Sequence, residues 1–327
     1  LRSETKPMNK PDAKDDESFL LFSGTANPQL AEAIARYLKC DLGKSPVMRF
    51  ADGEVHVKIE NNVRGKDCFV IQPTCRPANE NLMELLIILD ALKRASAGKI
   101  TAVLPYFGYA RQDRKTEPRV PITAKLIANV ITAAGATRII TVDLHAGQIQ
   151  GFFDIPLDHL FATKIFLDHF ATQKIKDFTI ISPDVGGVER ARAYAKKMQC
   201  GLAFIDKRRP RPNQASVYHV VGEVEGRNCI IIDDIVDTAG TLSEVAHALK
   251  TQGATSISAF ITHGVLSTDA IEKIDRSPLK ELVITDSIPL RGDAKACKKI
   301  VTLSLAELLG EAIWRNHNGE SISALFV

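Results

Sequence analysis

Short apolar runs rich in β-branched residues alternate along the chain with stretches whose apolar residues recur every three or four positions. The runs Phe19–Phe22, Asp67–Gln72, Lys99–Pro105, Arg138–Asp143 and Asp177–Ser182 predict strands. Leu202–Ile205, Asn228–Asp233, Ser256–Ile261 and Glu281–Thr285 continue the series. Between them, Pro28–Leu38 carries Leu30, Ile34 and Leu38 at helical spacing, and Asn79–Ser96 carries Leu82, Leu85, Leu86 and Leu89. Arg190–Met198 and Thr241–Thr251 read as helices too. Strands alternating with helices mean βαβ units, hence α/β domains with mainly parallel sheets flanked by helices.

The pattern echoes itself. Gly65-Lys-Asp-Cys-Phe-Val-Ile71 resembles Gly226-Arg-Asn-Cys-Ile-Ile-Ile232. Each run leads into a helix ending Ala-Leu-Lys, at Ala91–Lys93 and Ala248–Lys250, then a Gly and another strand. Two βα units can look alike by chance. Because strand, helix end and second strand stay in phase, duplication of one α/β domain is the better account. The boundary is expected near residues 155–165. The expected division is a disordered, charged tail over 1–18, one domain over 19–160, a second over 161–310, and a segment over 311–327 packing back toward the first.

Composition narrows the classes. A chain of 327 residues, 45% hydrophobic and 25% charged, is long enough for two globular domains and excludes disordered, collagen-like and coiled-coil classes. Its 42 basic and 39 acidic residues leave a net +3, too little for a protein that coats nucleic acid. The longest apolar stretch, near Leu82–Leu92, is broken by Glu84 and Asp90 and falls short of a membrane span. Six scattered cysteines without a Cys-x-x-Cys pair fit a reduced, cytoplasmic protein with no zinc site.

The most informative stretch is Cys229-Ile-Ile-Ile-Asp-Asp-Ile-Val-Asp-Thr-Ala-Gly-Thr241. A buried strand ends in paired acids, and a short loop leads into a helix. Such a turn points backbone N–H groups at an anion. Thr238 and Thr241 add hydroxyl donors, and Gly240 admits the backbone closely. Asp233 and Asp234 would repel a phosphate, so they are expected to face vicinal sugar hydroxyls. Phosphate at one end and a diol at the other describe a ribose 5-phosphate site. The plain alternative is a βα turn whose acids cap a helix.

Two basic clusters stand out. Arg111, Arg114, Lys115 and Arg119 crowd one loop after a strand, and Lys207-Arg-Arg-Pro-Arg211 follows another. Arginine forks suit polyphosphates, although solvated charge runs are common. Pro210, Pro212 and Asn213 predict a mobile loop.

The loop at Asp233–Thr241 resembles the phosphoribosyl-binding signature of the phosphoribosyltransferase fold. The chain from Phe19 to Phe326 further resembles the class I ribose-phosphate diphosphokinases of bacterial-like form. The resemblance is carried by Arg49-Phe-Ala-Asp-Gly-Glu54, Pro105-Tyr-Phe-Gly-Tyr-Ala-Arg-Gln-Asp-Arg114 and Thr141-Val-Asp-Leu-His-Ala146. Asn81-Leu-Met-Glu-Leu-Leu86, Gln148–Asp154, Ser182-Pro-Asp-Val-Gly-Gly187, Asp206-Lys-Arg-Arg-Pro210 and Asn318–Ser323 complete it. It implies two phosphoribosyltransferase-type domains and transfer of the ATP β,γ-diphosphate to the 1-hydroxyl of ribose 5-phosphate.

By the same resemblance, Lys207 and Arg209 are catalytic, and Phe50, Asp52, Glu54, Arg111 and Gln112 bind ATP across a subunit boundary. His145 and Asp184 hold Mg²⁺, and Gly186 and Gly187 meet the diphosphate. Asp233, Asp234, Asp237, Thr238, Ala239, Gly240 and Thr241 bind ribose 5-phosphate. It also implies a homohexamer activated by phosphate, with Arg64, Arg119, Ser321 and Ser323 as anion contacts. Three other readings compete. A base-using transferase would not need Asp52, Glu54, Arg111 and Gln112. A non-catalytic relative would not keep Lys207 and Arg209. A nucleic-acid binder would show aromatic platforms beside the basic clusters.

Overall fold

The computed structural model describes residues 13, 16–173, 175–208 and 217–325. The chain divides into two units, one running to Leu160 and resuming at Leu305, the other Phe161–Ser304.

The first unit contains β1 (Phe19–Ser23), α1 (Pro28–Leu38), β2 (Val47–Arg49), β3 (Val55–Val57), β4 (Asp67–Ile71) and α2 (Ala78–Arg94). It continues with β5 (Lys99–Leu104), α3 (Thr123–Ala134), β6 (Arg138–Val142) and β7 (Leu157–Leu160). Its five-stranded sheet, ordered β1-β4-β5-β6-β7, is parallel throughout. β4 is buried at every position, so it reads as a continuous apolar run rather than an alternating one. β2 and β3 form a separate antiparallel hairpin.

The second unit contains α4 (Thr163–Gln173), β8 (Phe178–Ser182), α5 (Val188–Met198), β9 (Gly201–Arg208), β10 (Val217–Val221) and β11 (Asn228–Val236). Then follow α6 (Gly240–Thr251), β12 (Ser256–Gly264), α7 (Ala270–Arg276), β13 (Glu281–Thr285) and β14 (Ile300–Leu303). The seven strands run β10-β9-β8-β11-β12-β13-β14, with only β10 antiparallel.

Set side by side, the two orders repeat. β1, β4, β5, β6 and β7 match β8, β11, β12, β13 and β14 in neighbour order and direction. Each unit inserts a hairpin between the helix that follows the first of these matched strands and the second of them: β2–β3 between α1 and β4, β9–β10 between α5 and β11. The sequence echo falls on β4 and β11, and Gln72 is the positional counterpart of Asp233.

The last helix, α8 (Ala306–His317), belongs to the first unit. Leu305, Leu309, Ala312 and Ile313 are fully buried, so the return begins at Leu305 rather than at 311. α8 lies against α1. A Cβ on Gly310 would come within 2.5 Å of the Tyr37 ring, and the Tyr37 hydroxyl donates to Glu311 Oε2 at 3.2 Å. His317 turns its ring nitrogens to Asp67 and Asp16, at 3.0 and 2.8 Å. Ala13 is buried and its amide donates to the Leu38 carbonyl, so ordered structure starts ahead of Phe19. The remainder of the expected tail, and Phe326, lie outside the described residues. None of the six cysteines is in a disulfide.

Candidate active site

Parallel strands deliver the loops that follow them to one carboxyl-terminal edge, where α/β proteins bind ligands. In the second unit that edge collects the loop after β8 with Asp184–Gly187, Lys207 near the end of β9, and Asp233–Thr241 on β11 and the loop beyond it.

β11 does not stop at its acids. β8 pairs with it only as far as Ile231, but β12 pairs on to Val236. Asp233 and Asp234 therefore stand inside the strand rather than in the following loop. Asp234 is buried, and the Asp233 side chain retains 29% exposure. Both meet Arg190 from α5, whose Nη1 lies 3.1 Å from Asp233 Oδ1 and 2.7 Å from Asp234 Oδ1. Burial first, then the charge of Asp234, pushes the Asp233 carboxyl well above the ordinary carboxylate range, and Arg190 opposes the rise. The expectation that these acids face only a sugar diol left this arginine out. Its signal was the need of two adjacent carboxylates at the end of an apolar strand for a cation; its identity was hidden by a separation of 43 residues.

Past the strand, Thr238 and Thr241 are exposed and Ala239 is buried. Ala239, not Gly240, takes the left-handed backbone conformation, φ +56°. No side chain caps the first turn of α6. A Cβ on Gly240 would meet only Thr238 Oγ1, at 3.8 Å, so the open side of this turn faces the space an anion would enter.

In the loop after β8, Asp184 is exposed and its Oδ1 accepts the Gly187 amide at 2.9 Å. A Cβ on Gly187 would press to 2.8 Å from Ser182 Oγ, so the tight turn itself demands glycine there. Gly186 is exposed, and a Cβ on it would meet Asp184 Oδ1 at 3.3 Å. Lys207 is on β9, in register with Tyr218 of β10, rather than in the loop where it was expected. Its Nζ lies 3.9 Å from Glu244 of α6. Arg209 and the expected loop through Asn213 lie outside the described residues.

In the first unit, Phe50, Asp52 and Glu54 occupy the exposed turn of the β2–β3 hairpin, with the Glu54 amide donating to Asp52 Oδ1. Arg49 ties the hairpin to α2 through Glu80 at 3.0 Å. Arg111 and Gln112 are exposed on the loop after β5, and Gln112 accepts a hydrogen bond from Thr123 at the start of α3. His145 is exposed just beyond β6. Three residues on these loops hold positive φ without being glycine: Tyr109 at +64°, Arg119 at +67° and Asp143 at +39°.

The anion contacts expected from resemblance divide. Arg64 precedes β4 at the amino end of the sheet, and Ser321 follows α8, its carbonyl accepting from Arg315 at 2.8 Å. Ser323 donates its amide to Ser321 Oγ. Arg119 is on the loop after β5, at the carboxyl end.

Asp184 offers the oxygen donor that Mg²⁺ prefers. No described group of three or more ligating side chains comes together, so such an ion would draw further ligands from substrate oxygens and water. A cavity of about 610 Å³ lies at the opposite edge of the second unit, beside Asp177, Cys200, Gly222 and Arg227, and plays no part in this constellation. No described helix is long and apolar enough to cross a membrane.

Residues 19–135 match the family model described as the N-terminal domain of ribose phosphate pyrophosphokinase. Residues 209–327 match that of the phosphoribosyl synthetase-associated domain. The chain is 54% identical to a ribose-phosphate pyrophosphokinase of Nitrosomonas europaea, covering 95% of this chain and 99% of that one. It is 57% identical to that of Maricaulis maris, over 94% and 99%. The solved phosphoribosylpyrophosphate synthetase from Mycobacterium smegmatis superposes with a TM-score of 0.88 at 39% identity, covering 93% of this chain and all of that one.

Proposed function

The chain belongs to the ribose-phosphate pyrophosphokinase family, and from that premise we propose how its residues divide the work. The enzyme transfers the β,γ-diphosphate of ATP to the 1-hydroxyl of ribose 5-phosphate, giving 5-phosphoribosyl 1-diphosphate and AMP for nucleotide synthesis. The observation that carries the assignment is the gathering of Asp184–Gly187, Lys207 and Asp233–Thr241 on one carboxyl edge of one sheet.

Thr238, Thr241 and the amides opening α6 receive the 5-phosphate, with Ala239 and Gly240 shaping the turn. Asp233 and Asp234, held by Arg190, accept hydrogen bonds from the ribose hydroxyls. Phe50, Asp52 and Glu54 receive adenine, and Arg111 and Gln112 the triphosphate. The anomeric hydroxyl then attacks the β-phosphorus and AMP departs. Such transfers depend on alignment and charge stabilisation rather than covalent participation by the protein. Lys207 and Arg209 supply cations where charge develops, and the amides of Gly186 and Gly187 meet the diphosphate. His145 and Asp184 would hold Mg²⁺, which neutralises the polyphosphate when bound.

A homohexamer activated by phosphate, with Arg64, Arg119, Ser321 and Ser323 as its anion contacts, completes this reading. The cytoplasm fits six cysteines held outside disulfides. The net +3 argues against a nucleic-acid partner.

Mixing the protein with ATP, ribose 5-phosphate and Mg²⁺ is expected to release AMP and 5-phosphoribosyl 1-diphosphate in equal amounts. Absence of AMP, together with tight binding of 5-phosphoribosyl 1-diphosphate and a nucleobase, would replace this reading by a transferase. A pH profile tests the acids. A carboxyl with a raised pKa gains its charge only as pH climbs, so kcat/KM for ribose 5-phosphate is expected to rise with pH through that value. Arg190→Gln removes the group opposing the rise and should move this limb to higher pH. An unmoved limb would separate Arg190 from the titrating pair.

A further inference from the structure

The segment following β12 is stitched to the phosphate loop. The Val265 and Leu266 amides both donate to the Val236 carbonyl, at 2.9 and 3.2 Å, and the Ser267 amide donates to the Asp237 carbonyl at 3.0 Å. The Ser267 hydroxyl donates to the Asp237 carboxylate. On its other side the Ser267 carbonyl accepts the Ala270 amide at 3.2 Å, which anchors the segment to the start of α7. Leu266 and Thr268 take φ values of +49° and +53°. Side chains persist in that conformation only where the surroundings over-determine it.

This arrangement bears on a difficulty within the loop. Asp237 immediately precedes Thr238, so its negative charge stands beside groups meant to receive a phosphate dianion. An unrestrained carboxylate there would sample positions that oppose the anion. Ser267 satisfies the carboxylate from the α7 side and fixes the peptide that carries it.

We propose that Ser267 is a positioning residue for ribose 5-phosphate: it holds the Asp237 carboxylate aside so that Thr238–Thr241 present donors, not charge, to the 5-phosphate. The proposal rests on the assignment of Asp237–Thr241 as the phosphate loop and deepens it. Ser267 touches no reacting atom, so its effect falls on substrate binding rather than turnover.

Steady-state kinetics of Ser267→Ala, Ser267→Thr, Asp237→Asn and Thr241→Val test it. Ser267→Ala should raise KM for ribose 5-phosphate roughly tenfold, as expected for losing a hydrogen bond to a charged group. The KM for ATP and kcat at saturation should stay within about twofold. Ser267→Thr keeps the hydroxyl and should restore the wild-type KM. Combining Ser267→Ala with Asp237→Asn should add nothing beyond Asp237→Asn alone, because the charge to be held is gone. Thr241→Val separates the two levels. If it leaves the KM for ribose 5-phosphate unchanged, the phosphate-loop assignment fails. If it raises that KM and Ser267→Ala does not, or if Ser267→Ala raises both KM values alike, the positioning role alone is overturned. Should Ser267→Ala fold poorly, full additivity of Ser267→Thr with Asp237→Asn in a substantial KM increase would overturn it equally.

Discussion

Lys207→Ala is expected to lower kcat for AMP formation about 100-fold or more, the usual cost of deleting a donor aimed at developing charge. The effect should fall on turnover, with KM for ribose 5-phosphate little changed, because the Asp237–Thr241 loop keeps its own supports. Lys207 stands on a paired strand, and this gives the side chain a fixed base beside α6. Its contact with Glu244, at 3.9 Å between groups 30% and 56% exposed, is too solvated to hold it strongly. Glu244→Gln should therefore change kcat by less than about threefold. Near-normal turnover in Lys207→Ala would remove this residue from the catalytic assignment.

The largest expected loss of stability lies in the other unit. Glu84, fully buried on α2, accepts the Thr25 amide and the Thr25 hydroxyl, each at 2.6 Å, and the Gln72 amide at 2.9 Å. Gln72 in turn donates to the Asn81 carbonyl and accepts from the Ala26 amide. Glu84→Ala would strand these donors without water and leave a void. At about 1–3 kcal/mol for each buried unsatisfied group, partly relieved by relaxation, the cost is about 3–4 kcal/mol. The melting temperature should drop by roughly 10 °C. Glu84→Gln keeps an acceptor for the two amides and turns its own amide to the Thr25 hydroxyl, so it should recover most of the loss. Equal melting temperatures for the two variants would show that packing, not hydrogen bonding, sets the stability here.

Gln72 and Asp233 hold matching places in the two units, which shows how one design took two courses. In the first unit the position is neutral and closed by its neighbours. In the second it is an ionisable carboxyl, partly open and held by an arginine.

The apolar grammar of the chain was a sound guide wherever strands are covered on both faces. β4, β5, β6, β11 and β12 announce themselves as continuous runs because parallel sheets leave them no wet side. Apart from Leu202–Ile205 within β9, the hairpins were illegible for the opposite reason. β2 and β3 are short, largely exposed and outside the main sheet, so no apolar run marks them. β9 continues through polar Asp206 and Lys207 because β10 pairs with it there. At the site, contiguous groups were readable, and the loop Asp237–Thr241 stands where its sequence put it. Supports drawn from afar were not. Arg190 sits among ordinary helix charges, Ser267 in an ordinary turn, and Glu84 looked like an interruption in an apolar stretch. Only the folded topology sets each against its partner.

The return of the chain to its first unit has a consequence for how the protein is made. Tyr37 and Glu311, which meet across α1 and α8, are separated by 274 positions. During translation the whole of Phe161–Ser304 is synthesised before α8 emerges, and that stretch is contiguous, able to close as soon as it leaves the ribosome. The half that starts first thus finishes last. Through that interval the nascent chain carries an α1 surface awaiting its cover, and it is this intermediate, not either finished half, that chaperones would meet.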